Sequence, residues 1–190
     1  MGIFGSTLTD TDNQGIDEVG YGTLFNLSKS VSADSMSGYI DPTGNVPDVR
    51  FAIYSSDGNL IAETVSVVST ADDYLWITSS FSSGVSLSAG NYYLCAATNA
   101  RSVDVGTNST QTSLSDIVVD SSVHFESSFT DTTEEDDKAC IYCTYSTDIS
   151  GDITAYPNTA ENISLALDVS LSTGSLTEVS FTSVTNERYT

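Results

Sequence analysis

The sequence predicts an all-β protein, an antiparallel jelly-roll-like β-sandwich carrying an extended N-terminal arm. Three observations predict it. Apolar residues recur with a period of two over short runs, as in Val49-Arg50-Phe51-Ala52-Ile53-Tyr54. That is the pattern of a strand with one buried face. Clusters of Gly, Asp, Asn and Ser separate the runs and favour turns. Within the 190 residues no helical period lasts more than two turns. Many short strands between such turns read as a sandwich.

The organising stretch runs from Asp48 to Thr98. Val49, Phe51 and Ile53 alternate with Arg50, Ala52 and Tyr54, and Asp57-Gly58 turns the chain into Leu60-Ile61-Ala62-Glu63-Thr64. Two alternating runs around an Asp-Gly step form a hairpin. Before it, residues 1–18 carry no clear period and include the polar cluster Asp10-Thr11-Asp12-Asn13-Gln14-Gly15. This segment reads as an arm, and residues 19–190 as one sandwich domain. Tyr21 to Leu27 is the first expected strand, and Val31 to Ile40 the second, with Met36 and Ile40 inward. Asp41-Pro42-Thr43-Gly44-Asn45 is a turn, and Pro47 starts the Asp48 strand, where its missing donor does no harm.

After the hairpin, Leu60 to Val68 is expected as a strand that ends or bulges at the offset Val68. Tyr74 to Thr78 is the next strand, Ser79 to Gly84 a loop, and Val85 to Leu87 a short strand. Asn91 to Thr98 is a strongly aromatic strand, and Asn99 to Ser113 a long polar loop. Ile117 to Phe129 holds one or two strands, and Asp131 to Asp137 is an acidic loop. Ala139 to Tyr145, Ile163 to Val169 and Leu176 to Val184 complete the expected strands. About three residues in ten are Ser or Thr, a composition that suits the solvent faces of antiparallel strands.

Charge excludes some partners. Twenty-six acidic residues face five basic ones, for a formal net charge of −21. A field of that sign repels nucleic-acid phosphates and anionic membranes. It also keeps strand edges from pairing with strangers. No run approaches the ~18 apolar residues of a membrane span. The N-terminus, Met1-Gly2-Ile3-Phe4-Gly5, lacks the basic and apolar regions of a secretory signal. The expectation is a product made in the cytoplasm.

Candidate chemistry is sparse. His124 is the only histidine and lies in a strand-like run, Val123-His124-Phe125, without a Gly-x-Ser-x-Gly elbow. It reads as a partly buried structural residue. Acids are too abundant to single out a hydrolytic pair, and no Gly-rich phosphate loop occurs. The chain is therefore expected not to be an enzyme. The three cysteines are Cys95, Cys140 and Cys143. Residues three apart on a strand face opposite sides, so Cys140 and Cys143 are badly placed to bridge. A zinc site would have to be completed by Cys95 and His124, and buried free thiols are the plainer expectation. Calcium is the one metal with a partial motif. Asp10, Asp12 and Gln14 place oxygens at the first, third and fifth positions of an EF-hand-like loop, with Gly15 at the sixth. The motif then fails, because Tyr21 stands where the closing bidentate Glu belongs. No other cofactor is expected.

The segments Leu24-Phe25-Asn26-Leu27, Val49 to Ser55, Gly58 to Glu63, Trp76 and Leu87-Ser88-Ala89-Gly90-Asn91-Tyr92-Tyr93-Leu94 together resemble a known module. It is the jelly-roll β-sandwich of bacteriophage virion and tail-associated proteins and of some bacterial surface proteins. The resemblance covers residues 20–98, with a looser fit beyond. Its motifs are turn residues and core aromatics, which specify a fold and not an activity. It implies a virion structural role, as a capsid-exterior decoration or a tail or fibre component. The partners it implies are other virion proteins and copies of the chain itself. The rival expectation is a carbohydrate-binding module for a cell-surface glycan, stacking on exposed aromatics. Tyr74, Trp76, Tyr92, Tyr93, Tyr142, Tyr145 and Tyr156 are available for it. Trp76, Tyr92 and Tyr93 are the leading set, because one of two adjacent tyrosines on a strand faces outward.

Overall fold

The computed structural model describes residues 1–10, 12–16, 19–42, 47–70, 73–100, 102–108, 114–118, 124–129 and 138–146. Among the described residues there is no helix, and the strands form two antiparallel sheets packed as a β-sandwich. Residues Gly2–Ser150 make one compact unit. The expected strands over 163–169 and 176–184, and the acidic run 131–137, lie outside the described residues.

The seven-stranded sheet comprises β1 (Gly2–Gly5), β2 (Asp12–Gly15), β4 (Val31–Asp41), β8 (Leu75–Leu87), β10 (Asp104–Asn108), β12 (Lys138–Ala139) and β13 (Ile141–Ser146). β4 is its spine. β8 runs along one side of β4, with Tyr39 opposite Trp76 and Ser37 opposite Thr78. The other side of β4 is shared. β13 takes Ser32 to Gly38, and β10 takes Ile40 and Asp41. β1 continues the sheet beyond β13, and β2 beyond β10. The six-stranded sheet comprises β3 (Val19–Leu27), β5 (Asp48–Ser55), β6 (Leu60–Glu63), β7 (Val67–Val68), β9 (Gly90–Thr98) and β11 (Leu114–Val118). β9 lies between β3 and β5, and the hairpin partner β6 lies beyond β5.

The inner faces meet in one apolar layer. Val49, Phe51 and Ile53 of β5, Met36 and Ile40 of β4, Leu94 of β9 and Ile141 of β13 are all completely buried. Burying each such side chain contributes about 1.5–3 kcal/mol. The hairpin turn forms where the sequence places it. Gly58 adopts a φ of +77°, its N–H donates to the Ser55 carbonyl at 2.9 Å, and Ser55 N–H donates to the Asn59 carbonyl at 2.9 Å. Only glycine takes that backbone geometry without strain.

Four departures from the sequence expectation have physical causes. First, Ser79–Gly84 is not a loop but the middle of β8. Ile77, Ser79 and Phe81 are buried while Thr78, Ser80 and Ser82 are exposed, so the two-residue period continues through serines. A register shift between Ala33 and Ser35 of β4 absorbs the irregularity. Second, β5 is buried on both faces from Phe51 to Tyr54. Phe125 and Phe129 lie over the outer face of its sheet, against Tyr54 and Tyr93. Third, the long polar loop expected over 99–113 contains β10.

Fourth, residues 1–18 are not free of regular structure. β1 and β2 are both paired into the seven-stranded sheet. Phe4 is 7% exposed and Ile16 is fully buried, and Ile16 N–H donates to the Val103 carbonyl at 2.8 Å. A short strand pairing with a partner far away in sequence leaves little local period to read. Replacing Ile16 with alanine should lower the unfolding free energy by about 2–5 kcal/mol in a denaturant titration. Ile3→Ala, at a position 52% exposed, should change it by no more than about 0.5 kcal/mol. Equal and negligible effects at both positions would mean the segment lies outside the cooperative unit.

Candidate functional site

Inward burial of Met36, Gly38 and Ile40 on β4 forces Ser37, Tyr39 and Asp41 to the other face. Ile77 turns inward on β8, so Trp76 and Thr78 turn outward. Ile141 and Cys143 turn inward on β13, so Tyr142 turns outward. These outward residues are neighbours, because β8 and β13 flank β4. They form a continuous aromatic strip, together with Tyr74. Ring centroids lie 5.2 Å apart for Tyr39 and Tyr74, with planes inclined by 24°. Tyr39 and Trp76 are 5.4 Å apart with planes inclined by 43°, and Trp76 and Tyr142 4.9 Å apart with planes inclined by 57°. All four rings are half-buried.

Two glycines border the strip. Gly106 of β10 borders Tyr39, and a side chain there would meet the Asp10 carbonyl at 2.5 Å and Tyr39 Cδ1 at 3.0 Å, so the N-terminal segment closes the strip on that side. Gly5 of β1 pairs opposite Tyr142, so no side chain of β1 stands directly across from that ring, and Ile3 is its diagonal neighbour on the same face. Polar groups edge the strip. The Ser37 and Thr78 hydroxyls are hydrogen-bonded at 2.7 Å, and Thr78 is exposed. Asp41 and Asp104 face each other across β4 and β10 and are half-buried. On the far side, a groove of about 340 Å³ runs between Trp76 and Thr78 of β8 and the Val67–Thr70 segment. Val68 there is 56% exposed.

The structure does not gather the aromatic set read from the sequence. Trp76 belongs to the strip. Tyr92 and Tyr93 lie in the other sheet, on β9. Tyr92 turns toward Phe4, with centroids 6.5 Å apart, and its hydroxyl donates to the Ser88 carbonyl at 2.9 Å. Tyr93 does face outward from its sheet, but Phe129 covers it edge-on at 5.0 Å and leaves it 8% exposed. Tyr39 was the ring the sequence reading passed over. Its signal was the inward placement of Met36 and Ile40, which fixes the odd-numbered neighbour outward.

Two of the three calcium candidates sit on a strand and not on a coiled loop, and Asp10 precedes them outside any strand. Asp12 and Gln14 lie on extended β2, two residues apart and hence about 6.6–6.8 Å apart along the strand. Asp12 is exposed, and the Gln14 amide donates to the Tyr21 hydroxyl at 3.1 Å. The Asp10 carboxylate accepts a hydrogen bond from the Asn108 amide. An EF-hand curls its backbone so that alternate oxygens converge, and a paired strand spreads them instead. Among the described residues no group of three or more His, Cys, Asp or Glu side chains is disposed to hold a metal ion.

His124 is exposed, not partly buried. Its Nδ1 lies 3.1 Å from Arg50 Nη1 and 3.4 Å from Glu63 Oε1, while Arg50 Nη1 donates to Glu63 Oε1 at 3.1 Å. Arginine can only donate, so Nδ1 accepts from it. The cluster clamps residues 124–129 to the six-stranded sheet. The clamp continues through Tyr54, whose hydroxyl donates to the Glu126 carbonyl at 2.7 Å, and through Leu60 N–H, which donates to the Ser127 carbonyl at 2.9 Å. This arrangement fastens a covering segment and fits a structural role.

Cys95, Cys140 and Cys143 are free, buried thiols. Cys95 lies in the cluster under Phe125 and Cys143 in the main core, so the two occupy opposite sides of a sheet layer. Burial pushes all three thiols up, Cys143 to about 12. No known family, curated protein or solved structure matches the chain.

The raised thiols set an alkaline limit on stability. Unfolded cysteines ionise near their ordinary value of about 8.5, while the folded thiols stay protonated. Their contribution is complete below that value and is lost as pH climbs toward about 12, where Cys143 ionises. The unfolding free energy should therefore fall between pH 9 and 12. Thiol titration with a disulfide reagent at pH 8 should find no fast-reacting cysteine in the folded protein and three after unfolding. A fast-reacting thiol in the native state would contradict the burial.

Proposed function

We propose that the chain is a non-enzymatic structural protein of a bacteriophage virion, a capsid-exterior decoration or a tail or fibre component. It acts by assembling with neighbouring subunits. The jelly-roll resemblance of residues 20–98 favours this class, and the observation that carries the mechanism is the margin of the sheet at β1. Among the described residues β1 pairs with β13 alone. The apolar side chain of Ile3 on β1 is 52% exposed, and that of Leu8, three residues past the end of the strand, is 50% exposed. An exposed strand edge with apolar neighbours invites pairing with another chain. The N-terminal segment would then serve two purposes, completing its own sheet and offering its outer margin to the next subunit.

Charge gives this assembly a condition. Copies carrying −21 each repel at close range, and the repulsion reaches about 8–10 Å at physiological ionic strength. Association should strengthen with salt, since the edge contact itself is backbone and apolar. Solvent-facing Ser and Thr keep the remaining strand faces wet.

Deleting the N-terminal segment is a poor test, because it also removes Phe4 and Ile16 from the core. Substituting its exposed side chains is a clean one. Sedimentation velocity should show oligomers of the full chain in high salt. The Ile3→Glu and Leu8→Glu variants should associate at least tenfold more weakly while melting at the same temperature. A chain that stays monomeric at every salt concentration, or variants that assemble like the parent, would refute the edge mechanism.

A further inference from the structure

We propose that the outer face of the seven-stranded sheet, centred on Tyr39, Trp76 and Tyr142, binds neutral carbohydrate by ring stacking. The proposal does not depend on subunit assembly. It uses no apolar side chain of β1.

Four kinds of ligand use aromatic surfaces: nucleobases, organic cations, proline-rich peptides and sugars. Prolines carry no N–H to meet the carboxylates that edge this strip. Nucleic acid is opposed by the charge of −21, which repels phosphates wherever the bases stack. A cation site needs rings arranged as walls around a gap wide enough for the ion. Here the rings touch one another, with centroids only 4.9–5.4 Å apart. Their planes are inclined to one another by 24°, 43° and 57°, so they make a faceted surface and not a cage. A pyranose ring can lie on a single facet of such a surface. One of its faces carries only C–H bonds and lies flat on a π system, while its rim carries hydroxyls. The strip offers acceptors and donors for that rim in Thr78, which is exposed, and in Asp41 and Asp104, which are half-buried, all on the same face. Carboxylates accept hydrogen bonds from sugar hydroxyls strongly, and they would reject an acidic sugar. The ligand class is thus a neutral glycan.

The dimensions favour more than one residue of sugar. Tyr74, Tyr39, Trp76 and Tyr142 follow one another across three strands, β13, β4 and β8, and the chain leading into β8. Neighbouring strands lie about 4.8 Å apart, so the strip is longer than a single pyranose. The groove of about 340 Å³ beside Trp76 and Thr78 lies at its far end. That volume falls within the usual range for ligand sites, about 300–1,000 Å³, and it gives a place for a branch or a terminal residue.

Trp76 is the only tryptophan, so tryptophan emission, excited where tyrosine does not absorb, reports on this face alone. The experiment titrates the full chain with neutral oligomers of glucose, galactose, mannose and N-acetylglucosamine, following Trp76 emission, after a glycan-array screen for the best epitope. The expected result is a saturable change with at least one oligomer, tighter for longer oligomers and insensitive to salt. Tyr142→Ala should weaken binding at least tenfold. Thr78→Arg, an exposed position where a bulky side chain would cover the strip, should do the same, with a melting temperature lowered only by the lost hydrogen bond to buried Ser37. Thr78→Ser, which keeps a hydroxyl there, should bind like the parent. Ile3→Glu should leave binding intact, which separates failure here from failure of the assembly reading.

Absence of any saturable neutral ligand at millimolar concentration would overturn the proposal. So would binding that survives both strip variants. Choline or polylysine as the only ligands, with affinity falling in salt, would mean that a cation occupies the face. Emission that depends on protein concentration and not on sugar would mean that a second copy occupies it.

Discussion

The dry layer between the two sheets decides the rest of the structure. Val49, Phe51 and Ile53 on one side and Met36 and Ile40 on the other are completely buried. A strand has only two faces, so each buried residue commits its neighbours outward. Slipping β4 by one residue would drive Tyr39 into the core and Ile40 into water. The core and the aromatic strip are therefore one constraint viewed from two sides. The same alternation on β8 and β13 delivers Trp76 and Tyr142 to the place where Tyr39 emerges. No separate device is needed to gather the rings.

The six-stranded sheet handles its outer face differently. Tyr54 and Tyr93 also emerge there, yet residues 124–129 are laid over them and pinned by Arg50, Glu63 and His124. One sheet hides its outward aromatics and the other leaves them half-open. Covering a face is the ordinary solution for apolar surface. Leaving a strip of four rings half-open costs solubility unless a ligand or partner uses it, and the strong acidity offsets that cost.

The sequence revealed most where local chemistry is strong. The Asp57-Gly58 hairpin, the inward Met36 and Ile40, and the aromatic β9 were all legible, because turn residues and period two are short-range signals. β8 was not, since Ser79, Ser80, Ser82 and Ser83 resemble a loop by composition while keeping strand alternation. β1, β2 and β10 were illegible for a different reason. Each is short and Gly-bearing and is set by partners distant in sequence. The aromatic site was half-visible. Trp76 and the availability of Tyr74 and Tyr142 could be read, whereas adjacency misled at Tyr92 and Tyr93. Adjacent residues do point oppositely, but the sequence does not say that Phe129 will cover the outward one.

The claim that the core register sets which aromatics are open can be tested without any ligand. Hydroxyl-radical footprinting of the native chain, read residue by residue by mass spectrometry, reports side-chain access directly. Trp76, Tyr39 and Tyr142 should be modified at comparable rates, while Tyr54 and Tyr93 stay protected until the protein unfolds. Rapid modification of Tyr54 or Tyr93 alongside a protected Trp76 would place the open face on the other sheet and contradict the account.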